Sequence, residues 1–223
     1  MTPQQQAEQD RLIKEGLAVE CWEFARNVAG ADIQALQKRV LEVGTLYDLY
    51  RFAKDVPNAD ISSLQRPFNE VGDAVVCEIF ARDVAGADIG ALQARILKIG
   101  TGWDCWLFAR EVPGADVAVL QARVLEIGTG WDCVLFVRDI EGADGEALQK
   151  RVLAVGTGYE CYLFAIEAPN ADIESLQKRV LEIGEIRDCY RFAYSVKGAD
   201  REALEARARA LKDESGATSS PAP

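Results

Sequence analysis

Apolar side chains recur along this chain with the spacing of short amphipathic helices. After Asp32, one apolar face is formed by Ile33, Leu36, Val40 and Val43. Their spacing of three or four residues is typical of one side of an α-helix. The opposite side is polar and is formed by Gln34, Gln37, Lys38 and Glu42. The pattern predicts a helix, called helix A, that begins at Asp32, ends at Gly44 and has a solvated outer side.

A second apolar face follows after a short turn. It is spaced i, i+3, i+4 and i+7 and is formed by Leu49, Phe52, Ala53 and Val56. This face predicts helix B, which begins at Thr45 and ends near Asn58. Asp and Thr side chains cap helix N-termini, and Thr45 with Asp48 resembles a capping box. Gly44 and Asn58 tolerate left-handed backbone, which we expect at the ends of both helices.

The helix pair recurs with a period of 28 residues. The aspartate of a Gly/Asn-Ala-Asp tripeptide marks the start of each helix A, at Asp32, Asp60, Asp88, Asp116, Asp144, Asp172 and Asp200. A glycine and a phenylalanine keep the same step, from Gly16 to Gly184 and from Phe24 to Phe192. Including the end helices, this count predicts eight A helices and seven B helices.

A single helix pair cannot bury its own apolar faces. Short turns make neighbouring helices antiparallel, and stacking of successive pairs then buries a continuous core. We therefore predict an all-α fold, a right-handed α-solenoid of stacked antiparallel helix pairs. The architecture resembles that of the HEAT, armadillo and TPR class of helical repeats, with a shorter period and without their signature residues. The resemblance implies a fold class and no site residues.

The predicted organisation follows the repeats. Residues 1–31 form an N-terminal capping helix and the first B helix, and residues 32–199 form six repeats, numbered 1 to 6. Residues 200–212 form a C-terminal capping helix, and the small-residue segment 213–223 is expected to be a disordered tail. Repeat 2 carries Pro67 inside helix A. Either the stack bends there or the repeat has simply drifted.

Charge and composition disfavour several classes of partner. The net charge is −11 with a sequence pI near 4.6, and no repeat is net positive. Nucleic-acid binding needs a basic footprint, so nucleic acid is a disfavoured partner. No apolar run approaches the roughly 18 residues of a membrane span, so we expect no membrane association. Residues 1–8 are polar and unlike a signal peptide, and we expect a cytoplasmic location.

The cysteines share one position of the repeat, which Leu49 fills in repeat 1. They are Cys21, Cys77, Cys105, Cys133, Cys161 and Cys189. A leucine at the same position indicates an apolar core site, which a free cysteine also suits. Successive copies lie one helix layer apart, about 8–10 Å, which is too far for a disulfide. With no histidine and no CxxC pair, we expect no metal and no cofactor.

Residues suited to catalysis form no recognisable group. The chain has no histidine, the commonest general base, and its few serines have no adjacent base. The recurring carboxylates lie at helix starts, where capping accounts for them. The Gly-Thr-Gly segments at 100–102, 128–130 and 156–158 join helix to helix, without the strand that precedes a phosphate-binding loop. We predict that the protein is not an enzyme.

An arginine also recurs, at the flank of the apolar face of helix A. Its copies are Arg39, Arg95, Arg123, Arg151, Arg179 and Arg207. The favoured interpretation is a ladder of ion pairs with carboxylates such as Asp48 or Asp55 on nearby helices. The alternative is a row that binds an acidic ligand.

The aromatic side chains indicate where a partner would bind. All Trp and Tyr residues lie on B helices, at three positions of the repeat that point away from the Cys/Phe core face. The first position contains Tyr47, Trp103, Trp131 and Tyr159. The second, three residues on, contains Trp22, Tyr50, Trp106, Tyr162 and Tyr190. The third contains Tyr194 and basic residues such as Arg110 and Arg138. We expect the B helices to line a concave surface.

Trp, Tyr and Arg are enriched in interface hot spots. We therefore predict a non-catalytic scaffold or adaptor that holds a protein or peptide on the B-helix face. The expected binding residues are Tyr47, Tyr50, Trp103, Trp106, Arg110, Trp131, Arg138, Tyr159, Tyr162 and Tyr190. Packing between repeats is the competing interpretation of these rings, equally favoured at the Trp106 position. Self-association, and after it single-stranded nucleic-acid recognition, are the alternative functions.

Overall fold

The computed structural model describes residues 1–217, with side chains as far as residue 215. This part of the chain contains fifteen α-helices and no strand. The A helices are α1 (Pro3–Glu15), α3 (Ile33–Val43), α5 (Ile61–Val71), α7 (Ile89–Ile99), α9 (Val117–Ile127), α11 (Gly145–Val155), α13 (Ile173–Ile183) and α15 (Arg201–Ala217). The B helices are α2 (Ala18–Asn27), α4 (Leu46–Asp55), α6 (Ala74–Asp83), α8 (Gly102–Glu111), α10 (Gly130–Asp139), α12 (Gly158–Glu167) and α14 (Ile186–Ser195). The predicted all-α fold, with eight A and seven B helices, is confirmed.

The helices form two compact units. The N-terminal unit comprises Met1–Gly100 and Glu111–Asp116, and the C-terminal unit comprises Thr101–Arg110 and the described chain from Val117. In the N-terminal unit α2 packs on both α3 and α4. In the C-terminal unit α10 packs on both α11 and α12. Each unit is therefore a stack of helix pairs, as expected for a helical-repeat solenoid.

Caps set the length of the helices, which is 11 residues for α3 and 10 for α4. The Asp32 carboxylate accepts a hydrogen bond from the Ala35 N–H (3.0 Å), and Thr45 with Asp48 forms a capping box. Helix α4 is followed by a residue with positive φ, Asn58 (62°), as predicted. None of the helices described is both long and apolar enough to cross a membrane.

The predicted left-handed end of helix A is wrong. Gly44 is extended, with φ −84° and ψ 158°, and its N–H donates to the Val40 carbonyl. Crowding explains the glycine instead, because a Cβ on Gly44 would lie 2.6 Å from the Val40 carbonyl oxygen. Gly72 has the same 2.6 Å approach to the Phe68 carbonyl oxygen. A side chain is excluded at these helix ends by lack of space.

The buried core follows the predicted faces with one exception. Leu36 and Val40 of α3 and Phe52 of α4 are fully buried, and so is Phe136 in the C-terminal unit. Val43 was expected on the same buried face and is 43% exposed. It is the last residue of α3, so no following helical turn covers it. The last residue of each helix A in the repeats is exposed in the same way.

Gln37, expected on the solvated side of helix A, is 2% exposed and joins two repeats. Its Oε1 accepts a hydrogen bond from the Asp60 N–H (2.8 Å), and its Nε2 donates to the Asp60 carbonyl (3.0 Å). The same pairing recurs at Gln65–Asp88, Gln93–Asp116, Gln121–Asp144 and Gln149–Asp172. The prediction of a solvated Gln37 is therefore wrong, because the partner is backbone at the start of the next helix A.

The repeated arginine also binds backbone. Arg39 Nε donates to the Gly16 carbonyl at 3.0 Å. Arg151 donates twice to the Gly128 carbonyl, at 3.0 and 2.9 Å. These carbonyls end the preceding helix A, where no intrahelical donor reaches them. The favoured ladder with carboxylates such as Asp48 does not account for these two arginines.

Helix α5 is regular across Pro67. It keeps 11 residues and the caps of its siblings, with Asp60 at the start and the Gly72 N–H bonded to the Phe68 carbonyl at the end. Pro67 occupies the position of the repeated arginine, so repeat 2 lacks that contact to backbone. Within α5 the proline neither shortens nor ends the helix.

The last helix is longer than predicted. Helix α15 continues to Ala217, whereas a disordered tail was expected from Asp213. Asp213 and Glu214 are not helix breakers, and the Ser215 hydroxyl donates to the Lys212 carbonyl (2.8 Å). The remaining part of the expected tail, 218–223, lies outside the described residues.

Candidate binding surface

Three aromatic side chains are exposed at equivalent positions of B helices in the C-terminal unit. Trp103 in α8, Trp131 in α10 and Tyr159 in α12 are 46, 40 and 39% exposed. Each is the second residue of its helix, next to the turn from helix A. We call these three residues the aromatic row. Exposed apolar patches mark interaction sites on folded proteins.

Caps and glycines hold the aromatic row in register. The Asp132 carboxylate accepts hydrogen bonds from the Thr129 N–H and hydroxyl, both at 2.8 Å. The same carboxylate packs against Gly102, where a Cβ would lie 2.5 Å from its oxygen. Glu160 packs against Gly130 in the same manner, at 2.7 Å. The Gly-Thr-Gly turns thus let successive B helices approach closely, which agrees with the structural role expected for them.

Apolar residues that the sequence did not single out extend the aromatic row. Ile127, Val155 and Ile183 are 37, 46 and 41% exposed. They end α9, α11 and α13, and Ile127 and Val155 precede Trp131 and Tyr159 by four residues. The helical pattern assigns them to the buried face, as it does Val43. Their place at the last position of that face is the signal that could have identified them.

The second ring position is mostly internal. Trp106 is 3% exposed, its indole N–H donates to the Asp139 carboxylate (3.1 Å), and its ring centroid lies 4.5 Å from that of Trp103. Packing between repeats therefore describes Trp106 better than an open binding position. Tyr162 is half-buried and Tyr190 is exposed.

The two predicted arginines of the C-terminal unit contact groups of the chain itself. The Arg110 guanidinium lies 4.6 Å from the Trp106 ring centroid, a cation–π contact. Arg138 pairs with Asp139 at 2.7 Å, and this hydrogen bond holds the pKa of Asp139 below its ordinary value. Both side chains are exposed, and each is already engaged by a group of the chain.

In the N-terminal unit, Tyr47 is 65% exposed and Tyr50 belongs to a polar network. The Tyr50 hydroxyl donates to Asp83 (2.6 Å), which Lys54 and Arg82 also contact, each at 2.8 Å. Hydrogen bonds from Arg82, Lys54 and Tyr50 hold the pKa of Asp83 far below its ordinary value. The predicted site residues thus fall into two groups, two tyrosines in this unit and eight residues in the C-terminal unit.

A cation covers the last ring of the aromatic row. The Arg191 guanidinium carbon lies 4.6 Å from the Tyr159 ring centroid. Both residues line a cavity of about 490 Å³ beside the start of α12. The residue that stands in the same relation to Trp131, 32 positions later, is Leu163.

A larger cavity, of about 1020 Å³, is lined in part by Val137 of repeat 4 and by Gly145, Leu153 and Ala168 of repeat 5. In the other repeats the position of Gly145 is filled by Ile33, Ile61, Ile89, Val117 and Ile173. The cavity thus lies where a branched side chain is missing. It is a departure from the repeat and is separate from the aromatic row.

The six cysteines are free and buried. Burial raises the pKa of the Cys133 thiol to about 12 and that of Cys77 to about 11. The Cys77 thiol donates to the Phe68 carbonyl (3.4 Å). These thiols pack in the core, as predicted from their shared position. Within residues 1–217, no cluster of three or more Cys, Asp or Glu side chains is arranged to hold a metal ion.

No family model, no curated protein and no solved structure matches this chain. The aromatic row of the C-terminal unit is the feature that folding alone does not explain, because three large rings remain in solvent at equivalent positions.

Proposed function

We propose that this chain is a non-catalytic binding scaffold or adaptor that holds a protein or peptide against the B-helix face. The observation that carries the proposal is the exposure of Trp103, Trp131 and Tyr159 at one position of successive repeats. Trp and Tyr contribute most of the binding free energy in many interfaces. A regular array of such rings offers the same contact several times along an extended or helical segment.

The aromatic row also has the rigidity of a preformed site. Each ring stands in the first turn of a capped helix, and the Asp132 carboxylate packs between successive helix starts. Fixed rings lose little conformational entropy on binding, so more of the contact free energy appears as affinity. Ile127, Val155 and Ile183 add apolar area beside the rings. Together these features favour a macromolecular partner over a small ligand.

The proposal includes a cytoplasmic location and no catalytic step. Six free, buried cysteines are typical of proteins kept in a reducing compartment. The chain contains no histidine, and its recurrent carboxylates cap helices. The residues best suited to proton transfer or nucleophilic attack are thus either lacking or occupied by structural contacts.

Self-association is the second candidate, and the same exposed rings favour it. Two copies that pair through the aromatic row would remove it from solvent without another partner. Light scattering on the wild type and on a Trp131→Ser variant separates the two functions. A dimer that dissociates on Trp131→Ser supports self-association, whereas a monomer in both cases leaves the aromatic row open to a different protein.

A displayed library of random peptides tests the leading proposal. Peptides selected on the wild type are measured against a Trp103→Ser/Trp131→Ser/Tyr159→Ser variant. Loss of three hot-spot rings is expected to weaken binding at least about tenfold. Val119→Ser is the matched control, since Val119 is 43% exposed and lies on an A helix, α9, outside the aromatic row.

Circular dichroism melts show whether each variant remains folded. Selected peptides that bind the folded triple variant as tightly as the wild type would refute the proposal. So would a library from which the wild type selects no peptide at all. Equal losses for Val119→Ser and the triple variant would indicate a nonspecific apolar effect, which also contradicts it.

A further inference from the structure

The chain repeatedly places cations over its own aromatic rings, both buried and exposed. Guanidinium carbons lie 3.5 to 5.7 Å from aromatic ring centroids at several positions, and an ammonium nitrogen lies 5.2 Å from one. The pairs are Arg26–Trp22, Arg51–Trp22, Arg51–Tyr47, Lys54–Tyr50, Arg110–Trp106, Arg191–Tyr159 and Arg201–Tyr194. A cation over a ring face is attracted by the electron density of the ring.

Of the three rings in the aromatic row, it is Tyr159 that has such a cation over its face. Arg191 stands 32 residues after Tyr159 and lies over its ring. Thirty-two residues after Trp131 the chain has Leu163. Thirty-two residues after Trp103 it has Leu135, which is 3% exposed and packs inside the C-terminal unit. The two tryptophans thus lack the guanidinium that Tyr159 receives from the next repeat.

The charge around the tryptophans favours a cation as well. Repeats 4 and 5, which carry Trp131 and Tyr159, have net charges of −3 and −2, and repeat 3, which carries Trp103, has no net charge. The indole face is the strongest cation–π acceptor among protein side chains. An anionic partner would meet the acidic repeats and gain nothing from the ring faces.

We infer that the partner presents arginine or lysine side chains whose cations stack on Trp103 and Trp131, as Arg191 stacks on Tyr159. The inference rests on the proposed function and specifies the chemistry of its partner. Successive B helices are about 8–10 Å apart, and a polyproline II segment advances about 3.1 Å per residue with three residues per turn. Basic residues three positions apart in such a segment lie on one face, about 9 Å from each other, and therefore match the two rings.

The probe that tests this is the acetylated and amidated peptide Gly-Arg-Ser-Ser-Arg-Gly. A citrulline analogue keeps the planar shape of each arginine and removes its charge, and a Glu analogue reverses the charge. Binding is followed through the indole N–H signals of the four tryptophans in NMR spectra of the full chain. The Trp22 signal serves as an internal control because Trp22 is 7% exposed.

The arginine peptide is expected to shift the Trp103 and Trp131 signals saturably. The Kd obtained from these shifts should be at least about fivefold lower than that of the citrulline peptide. The Glu peptide is expected to leave them in place. Equal affinity of the arginine and citrulline peptides would overturn the inference. The inference would also be overturned if a single-stranded oligonucleotide shifted the same signals and bound with a lower Kd than the arginine peptide.

Two variants test the inference without removing either tryptophan. Leu163→Arg supplies Trp131 with a cation from the chain. The affinity of the arginine peptide, measured from the Trp131 signal, should then fall by about threefold or more. Arg191→Leu uncovers Tyr159, and the Tyr159 ring signals should then shift with the probe. Unchanged binding in both folded variants would contradict the inference.

The outcomes separate this inference from the proposed function. One outcome is that the selected library peptides require the aromatic row for binding and yet contain no excess of Arg or Lys. That result would leave the scaffold proposal intact and overturn the inference of a cationic partner. If the binding of every peptide, basic or neutral, is independent of Trp103 and Trp131, both the scaffold proposal and the cationic partner are overturned. A dimer that covers the rings with a second copy, detected by light scattering, also overturns the cationic partner.

Discussion

Gln37 holds both backbone groups of Asp60: its side-chain carbonyl accepts from the Asp60 N–H at 2.8 Å, and its amide donates to the Asp60 carbonyl at 3.0 Å. Asp60 in turn caps α5 by accepting a hydrogen bond from the Ser63 N–H. One buried amide thus joins helix A of one repeat to the start of helix A in the next repeat. Because the pairing recurs, it is a principal polar tie between repeats.

Gln37→Ala should leave the Asp60 N–H without its partner and the Asp60 carbonyl with the Leu64 N–H alone, and should lower the free energy of unfolding by about 1–3 kcal/mol. Gln37→Glu should be as damaging, since a carboxylate keeps the acceptor and loses the donor in a buried place. Urea denaturation measures both. The control is Gln34→Ala, on the exposed side of α3, with an expected change below about 0.5 kcal/mol. Equal midpoints for Gln37→Ala and the wild type would contradict this role.

The period, the helix count and the N-caps could be predicted because they depend on local signals. Apolar spacing and capping side chains act within a few residues, so a sequence pattern contains them. The role of Gln37 could not be predicted in this way, since its partner is backbone and backbone carries no residue signature. A glutamine at every twenty-eighth position, from Gln9 to Gln177, is the signal that was available.

The candidate surface was predicted only in part, for a similar reason. The helical pattern places Trp103 and Trp106 on the same outer side of a B helix, three residues apart. Their exposures are 46 and 3%, because the next B helix covers one ring and not the other. Burial of that kind depends on the distance between helices, which Gly102 sets by admitting the Asp132 carboxylate. Such a contact between repeats has no counterpart in the pattern of one helix.

Arg151 should stabilise its repeat through the Gly128 carbonyl and only weakly through charge. Arg151→Met keeps the apolar stem and removes both donors, and should cost about 1–2 kcal/mol. The loss should be nearly the same at low salt and at about 1 M NaCl, because the acceptor is uncharged and the contact is part-buried. Urea midpoints at the two salt concentrations measure this.

Lys150→Met is the matched control for Arg151→Met. Lys150 forms an exposed ion pair with Glu146 at 2.6 Å. Lys150→Met should therefore lower the free energy of unfolding by less than about 1 kcal/mol, and this effect should shrink as the salt concentration rises. A loss for Arg151→Met that vanishes at high salt would restore the ion-pair interpretation of the repeated arginine.

Asp83 should make the N-terminal unit sensitive to acid. Hydrogen bonds from Arg82, Lys54 and Tyr50 lower the pKa of this carboxyl in the folded state. A lowered folded pKa contributes stability that is fully present above the unfolded value of about 4 and is lost as the pH falls through the folded pKa. Asp83→Asn should cost on the order of 1–2 kcal/mol at neutral pH, after allowance for solvent screening.

The difference between wild type and Asp83→Asn should narrow steadily as the pH falls below about 4, when the unfolded wild type takes up its proton. Urea midpoints measured from neutral pH to about pH 2 follow it. Glu174→Gln, an exposed change on α13, controls for the altered net charge. A difference that stays constant across this range would mean that the carboxylate charge does not contribute.

Gly145 should be the position where the protein is most easily stabilised. A Cβ there would meet only Val137 Cγ2, at 3.6 Å, which is ordinary contact, and the neighbouring cavity of about 1020 Å³ has room for the remaining carbons. Gly145→Ala should gain up to about 1 kcal/mol from reduced freedom of the unfolded chain. Gly145→Ile should gain about 1 kcal/mol more by burying apolar surface.

The preceding repeat has already adapted in part to the side chain missing at Gly145. Val137 stands where other B helices have Ala53, Ala81 or Ala165, and its methyl groups reach toward Gly145. Val137→Ala should therefore be destabilising in the wild-type background and nearly neutral when Gly145→Ile is already present. A thermal double-mutant cycle that includes the double variant Val137→Ala/Gly145→Ile measures this coupling. Additive effects, or a Gly145→Ile variant no more stable than Gly145→Ala, would mean that the cavity collapses without the missing side chain.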